Sequence, residues 1–329
     1  MFAAWLGASL AIGAGGTWLA RRYALRHHLL DAPGERRAHT APTPRGGGIG
    51  IVVALLLAGL FLWTLAPDRL AWGAMLTGLV LVASIGLWDD HRPLSPWVRL
   101  AVQAIAAALL AWAIWRQTDE PALALLAFVL AMGLTNVWNF MDGIDGIAAT
   151  QAIAVALAVA FATPGGFAAW WAWALVGATL GFLPFNFPKA RIFLGDVGSG
   201  ALGFALAALL VHAIREKPAT SPWLWALPPS AFLIDSSLTL AGRVLRGEAW
   251  WRPHALHAYQ KWARMRGSHV AVTLAYAAFT ACAIACMFML SNAAAPSNRV
   301  LVAVSAWYIA GTGIWWALQR RPEGKGVPR

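Results

Sequence analysis

The stretch PALALLAFVLAMGLTNVWNFMDGIDG, residues 121–146, runs from Pro121 to Met141 without a charged residue. It then places Asp142 and Asp145 three positions apart, each followed by glycine. A helix needs about 20 apolar residues to cross the hydrocarbon core of a bilayer, and a carboxylate is costly inside that core. The stretch therefore reads as a membrane span whose end carries a pair of acids that must have a purpose.

The rest of the chain repeats the pattern. Of its 329 residues, 60% are hydrophobic and 12% charged, against about a quarter charged in soluble domains. Eleven apolar segments are expected as spans: 2–20, 47–66, 70–88, 97–115, 121–139, 147–163, 167–187, 198–213, 222–241, 269–290 and 300–318. The fold class is thus all-α and polytopic, one transmembrane domain over 1–329 with inside loops at 21–46, 89–96, 140–146, 188–197 and 242–268. The first run has its arginines (Arg21, Arg22, Arg26) after it rather than before it, the reverse of a secretory signal, so it is expected to be retained. Cys282 and Cys286 lie four apart in one apolar run and read as small buried side chains.

With the gaps numbered alternately, 20 of the 25 lysines and arginines fall on one side. The positive-inside rule makes that side cytoplasmic, with the N-terminus periplasmic and the C-terminus inside. The net charge of +11 is explained by this topology and by anionic ligands rather than by nucleic acid. Asp89, Asp90, Asp142, Asp145 and Asp196 fall on the same side, from three separate loops. The outside gaps, APDR, RQTDEP, TPGG and REKPATSP, read as plain turns.

Five constellations on the inside face could carry chemistry. In GLWDDHRPLSPWVRLAVQ, residues 86–103, neighbouring Asp89 and Asp90 could hold a divalent cation or divide into base and ligand. A solvated helix end balanced by Arg92 is the plainer alternative. In the opening stretch, Asp142 and Asp145 would share a helix face, with Asn139 adding an amide; a polar turn is the alternative. In FNFPKARIFLGDVGSGALGF, residues 185–204, a helix starting near Asp196 would aim its N–H groups at a phosphate, with the carboxylate ready for a metal. Phe193 could stack on a nucleobase, and Asn186 at the head of the motif is a further candidate for substrate binding. Asp196 or Ser199 could equally cap that helix.

The fourth constellation is RGEAWWRPHALHAYQKWARMRGSH, residues 246–269. Arg252, His254 and His257 could grip a pyrophosphate, or the segment could be an interfacial helix with Trp250, Trp251, Tyr259 and Trp262 among the headgroups. The fifth, DAPGERRAHTAPTPRGGGIG at 31–50, offers His39 and Arg45 in a basic loop that could also be a simple positive-inside anchor. Asp235, inside span nine roughly two turns from its inner end, is either functional or a hydrogen-bond partner between helices.

Acids that hold Mg²⁺, arginines that hold phosphate, and a bilayer position point to phosphoryl transfer with one lipid reactant. DDHRPLS, NFMDGIDG, FLGDVGSG and the histidine loop also stand in the order and spacing of a known family. The chain resembles the polyprenyl-phosphate N-acetylhexosamine-1-phosphate transferases, glycosyltransferase family 4, in the branch that starts O-antigen and teichoic acid synthesis. Phospho-MurNAc-pentapeptide translocases are related.

The resemblance implies a multi-pass protein of the bacterial inner membrane that moves a sugar-1-phosphate from a UDP-N-acetyl sugar to undecaprenyl phosphate, releasing UMP and initiating O-antigen or other cell-envelope polysaccharide. It implies Mg²⁺ as cofactor, with Mn²⁺ as an alternative, and Asp196, Asp90 and Asp142 as metal ligands. Asp89, Asp90 and Asp196 are implied as catalytic. Asn139, Asp142, Asp145, Asn186, Phe193, His39, Arg45, Arg252, His254 and His257 are implied to bind substrate. The sparse histidine loop argues against the peptidoglycan translocase and leaves GlcNAc, FucNAc and QuiNAc open as the sugar. A homodimer is left open. A cation-coupled transporter is the rival from another class; it requires acids near the membrane midplane and internal symmetry. A CDP-alcohol phosphotransferase would need an arginine after the DG pair, which DGIDGIAAT lacks.

Overall fold

The computed structural model describes residues 1–31, 42–249, 251, 254–293 and 295–321. His39 and Arg252, two of the candidates above, lie outside the described residues. The chain is an all-α polytopic membrane protein. In order, the helices are α1 (Phe2–Arg26), α2 (Ile49–Leu65), α3 (Arg69–His91), α4 (Pro96–Thr118), α5 (Pro121–Met141), α6 (Ile147–Ala162), α7 (Phe167–Asn186), α8 (Gly195–Glu216), α9 (Ser230–Leu245), α10 (Ala258–Arg266), α11 (His269–Asn292) and α12 (Ser297–Arg320). Eight of them are long and apolar enough to cross a membrane, and α2 and α6 are apolar but shorter.

Each of the eleven expected segments falls on a helix, with one difference. Residues 222–241 split into a 3₁₀ turn (Pro222–Ala226) and α9. Pro228 and Pro229 lie between them, and proline can neither donate the next helical hydrogen bond nor fit its ring against the preceding turn. A second difference is a short antiparallel ladder, β1 (Leu30–Asp31) with β2 (Thr43–Pro44), which the all-α reading did not include.

Helix α8 is the hub. Every residue from Val197 to Ala213 is buried, and α3, α5, α6 and α7 pack around it. Close approach depends on small residues: a β-carbon at Gly86 of α3 would overlap the Asp196 carbonyl of α8. The outer helices present apolar side chains outward, among them Trp112 on α4, Leu274 and Met289 on α11, and Val302 and Ile309 on α12. In water so large an apolar surface would drive aggregation; facing lipid, it is the surface a span requires. Cys282 belongs to this outward face and is exposed, not buried as expected, while Cys286 is half-buried; both are free thiols. At i and i+4 on one helix the two thiols share a face, and on α11 that face turns partly outward.

At the end of the bundle opposite the acids, the turns are more than plain connections. Arg215 donates to Asp68 at 2.7 Å, the ring of His212 stacks on Trp72, and a cavity of about 440 Å³ opens among them.

Candidate active site

Asp89 and Asp90 close α3, and the chain then turns through Pro93 into α4. The Leu94 N–H donates to Asp89 Oδ1 at 2.6 Å. Arg99, one turn into α4, donates from Nη1 to Asp89 Oδ2 at 2.9 Å and to Asp196 Oδ2 at 3.1 Å. The α3–α4 hairpin therefore delivers both an arginine and the Asp89 carboxyl group to Asp196.

The N-terminus of α8 holds the largest departure from the sequence reading. Its first amides do not wait for a phosphate, and neither Asp196 nor Ser199 caps it. Asp90 crosses from α3 and accepts from the N–H groups of Asp196 (3.0 Å) and Val197 (3.1 Å). An anionic acceptor on the positive end of a helix is the favourable arrangement, and it takes donors that would otherwise be unsatisfied. Gly195 makes the fit: its φ of +77° is left-handed, and a β-carbon there would press on Asp90. Asp90 is thus both a cap and a wall of the site, with Arg45 Nε 4.0 Å from its Oδ1.

Two cavities meet at this point. The first, about 320 Å³, has an apolar wall of Val82, Ile85 and Leu100 and receives Arg99, His254 and His257. The second, about 220 Å³, is polar and is lined by Arg45, Asp90, Asp145 and Phe193 among others. Asn139, Asp142 and Asp196 face both. Asn139 donates from Nδ2 to Asp196 Oδ1 and to Ser199 Oγ. Asp142 is pushed up to about 7, chiefly by burial and then by the charges of Asp90 and Asp145. Asp145 is paired instead with His269, whose Nδ1 lies 3.2 Å from its Oδ2.

Other candidates hold the frame. Asn186 accepts from the Gly146 N–H and donates to the Ile192 carbonyl, tying two loops of the polar cavity together. Phe193 is fixed through its backbone, its N–H donating to Pro44 at 2.8 Å and its carbonyl accepting from Gly47 at 2.9 Å. Asp89 lines neither cavity and reaches the site through Arg99 and through a side-chain hydrogen bond with Asp196.

Asp235 resolves into the hydrogen-bond partner. Its carboxylate accepts from the N–H groups of Ala258 and Tyr259, from the Tyr276 hydroxyl and from Trp315 Nε1. It therefore caps α10 and fixes the segment carrying His254 and His257; His257 Nδ1 lies 3.5 Å from it. The interfacial reading of this loop fails for Tyr259, which is fully buried and donates to the Phe140 carbonyl at 3.0 Å. Only Trp251 of the described aromatics there is exposed. His254 is held down to about 4, by burial first and then by its neighbours His257 and Arg243.

Among the described residues, no three acidic, imidazole or thiol side chains lie close enough to enclose an ion alone. Magnesium, however, takes one or two carboxylates and completes its shell with water and substrate phosphates. Asp142 and Asp196 offer hard oxygen ligands to one space, where burial and the charges of Asp90 and Asp145 raise Asp142. The residues fit such a cation.

Arg99, His269, Gln260 and Tyr259 were not singled out as site residues from sequence. Each sits on an element that touches the acids only after folding, and the one linear signal was that all fall on the positively charged side.

Residues 72–214 match the model of glycosyl transferase family 4. The decaprenyl-phosphate N-acetylglucosaminephosphotransferase of Mycobacterium tuberculosis (strain ATCC 25618 / H37Rv) is 31% identical over 303 residues, covering 77% of this chain and 74% of that one. A probable undecaprenyl-phosphate N-acetylglucosaminyl 1-phosphate transferase of Bacillus subtilis (strain 168) is 27% identical over 265 residues, covering 74% and 72%. A phospho-N-acetylmuramoyl-pentapeptide-transferase of Levilactobacillus brevis is 33% identical over 207 residues, covering 52% and 62%. The chain belongs to glycosyl transferase family 4, the polyprenyl-phosphate sugar-1-phosphate transferases. The transporter reading finds no support in these relatives.

Proposed function

We propose that the protein transfers N-acetylhexosamine-1-phosphate from a UDP-sugar to undecaprenyl phosphate, at the cytoplasmic face of a bacterial inner membrane, as a first step of O-antigen or related envelope polysaccharide synthesis. One observation carries this reading: an apolar-walled cavity and a polar cavity share Asn139, Asp142 and Asp196. A lipid phosphate entering by the first and a nucleotide sugar entering by the second would meet at one pair of carboxylates. Twenty of 25 basic residues on that side support the orientation.

In this reading Phe193 stacks on the uracil, Arg45 faces the donor pyrophosphate, and Arg99 with the His254 segment faces the acceptor. A lipid phosphate oxygen attacks the sugar-linked phosphorus; the new P–O bond forms as the bond to the UMP oxygen breaks, and UMP leaves. Mg²⁺, held by Asp142 and Asp196, would supply neutralisation of the charge on the transferred and leaving phosphates. Direct attack is favoured over a phospho-aspartate. Asp90 has both oxygens engaged on α8, and Asp89 faces neither cavity.

The test is purified protein with undecaprenyl phosphate, Mg²⁺ and a panel of UDP-N-acetyl sugars, following UMP release, with Asp196→Asn as control. UMP from at least one donor, lost on chelation and in the control, is expected. Its absence with every donor would overturn the proposal.

A further inference from the structure

This inference rests on the reaction proposed above and goes beyond it. We propose that Arg99 is an exchangeable counter-ion: it pairs with Asp196 and is drawn away by the acceptor lipid's phosphate, so that lipid binding opens Asp196 to the divalent cation. Arg99 Nη1 is shared between Asp89 Oδ2 and Asp196 Oδ2. The other oxygen of Asp196 accepts from Asn139, and the Asp89 carboxyl group lies within hydrogen-bonding reach of Asp196, so the guanidinium is the one positive charge binding these two acids together among the described residues. A divalent cation needs a lone pair of Asp196, and two cations cannot share the place without strong repulsion. Asp89, fixed by the Leu94 N–H, is a pivot from which the guanidinium can turn without losing its partner.

The place it would turn to is on the lipid side. Arg99 lines the apolar-walled cavity and not the polar one. It is the one arginine or lysine among the described residues lining that cavity, and its side chain is 29% exposed. The neighbouring polar side chains, Gln103 and Asn136, are neutral and bonded to each other. A phosphate whose isoprenoid lies along Ile85 and Leu100 would meet Arg99 as its first full positive charge. Guanidinium pairs with phosphate through two parallel hydrogen bonds, more than the single nitrogen now divided between two carboxylates supplies. The two binding events are then linked, and linkage is reciprocal: what the lipid does for the cation, the cation does for the lipid.

The experiment titrates Mn²⁺, read by electron paramagnetic resonance, into the full-length protein in detergent with and without undecaprenyl phosphate. In the wild type the lipid is expected to tighten Mn²⁺ by about tenfold, within the usual range of coupling between sites. Arg99→Gln should bind Mn²⁺ without lipid at least as tightly as the wild type with it, and gain nothing further from lipid. Arg99→Lys, which keeps the charge and guards against misfolding, should retain a reduced coupling. The proposal is overturned if lipid leaves wild-type Mn²⁺ affinity unchanged, or if Arg99→Gln and Arg99→Lys both keep the full lipid effect. Two controls separate this from the reaction itself. UMP release by the wild type together with loss of Mn²⁺ in Asp196→Asn leaves the reaction standing and isolates any failure to Arg99. Absence of both overturns the reaction and the inference together.

Discussion

Asp142 and Asp196 both face the point where the two cavities meet, and the setting of Asp142 predicts behaviour. Asp196 is surrounded by donors, Arg99 and Asn139. Among the described residues Asp142 has no ion-pair partner, and its carboxyl titrates near 7. A cation binds the ionised carboxylate, so it must displace the proton that Asp142 carries below about pH 7. Mn²⁺ affinity is therefore expected to fall on going from pH 8 to pH 6, approaching tenfold per unit below the pKa, and Asp142→Asn should make that profile shallower. Affinity that rises as the pH falls would contradict the assignment. Asp196→Asn should reduce UMP formation by about a hundredfold or more, as removal of a group that stabilises charge in a transition state does, while the protein still folds. His254, held neutral by burial, should act as a dipole and not as a charge, so His254→Gln should be tolerated far better than His254→Ala, as measured by the KM for the acceptor lipid.

At the scale of the helix, two carboxylates capping in trans organise the site. Asp90 of α3 closes the N-terminus of α8, and Asp235 of α9 closes that of α10. Removing a buried acceptor strands its donors at about 1–3 kcal/mol each. Asp90→Ala should accordingly lower stability by several kcal/mol in thermal unfolding in detergent, and Asp90→Asn by less, because one acceptor remains. An unchanged melting temperature for Asp90→Ala would remove its capping role. Asp235→Ala should speed amide exchange at Ala258 and Tyr259 and loosen the histidine segment, raising the KM for lipid more than it alters donor binding. The same comparison explains the fate of the phosphate seat expected at α8. The sequence shows a helix start rich in glycine, but which anion sits there depends on the helix packed beside it, and here that helix brings its own carboxylate.

For the whole molecule, the site occupies one end of a bundle wrapped on α8, and the turns at the far end enclose the Asp68–Arg215 pair. If the basic side faces the cytoplasm, an impermeant amine reagent applied to intact cells should modify Lys217 and spare exposed Lys189. The opposite labelling would reverse the orientation. Much of this architecture is legible in the linear chain, because lipid imposes a simple rule: backbone polar groups must be satisfied within the segment, so length and hydropathy reveal helices at nearly every expected place. Pro228 and Pro229 were in view and still gave an unexpected break, since whether prolines kink or end a span depends on neighbours. The acids were legible because charge is rare in such a chain, and five aspartates on one side are conspicuous. What each one does was not.

The sequence alone determined that this is a polytopic helical protein of glycosyl transferase family 4 with its acids gathered on one side, because burial in lipid and ordered motifs are properties of the linear chain. Only the tertiary structure decided that Asp90 caps α8, that Asp235 holds the histidine segment, that Tyr259 is core and that Arg99 stands between Asp89 and Asp196. Those pairings join residues from 10 to 119 positions apart, and hydrogen bonds a few ångströms long exist only once the helices that carry them have packed.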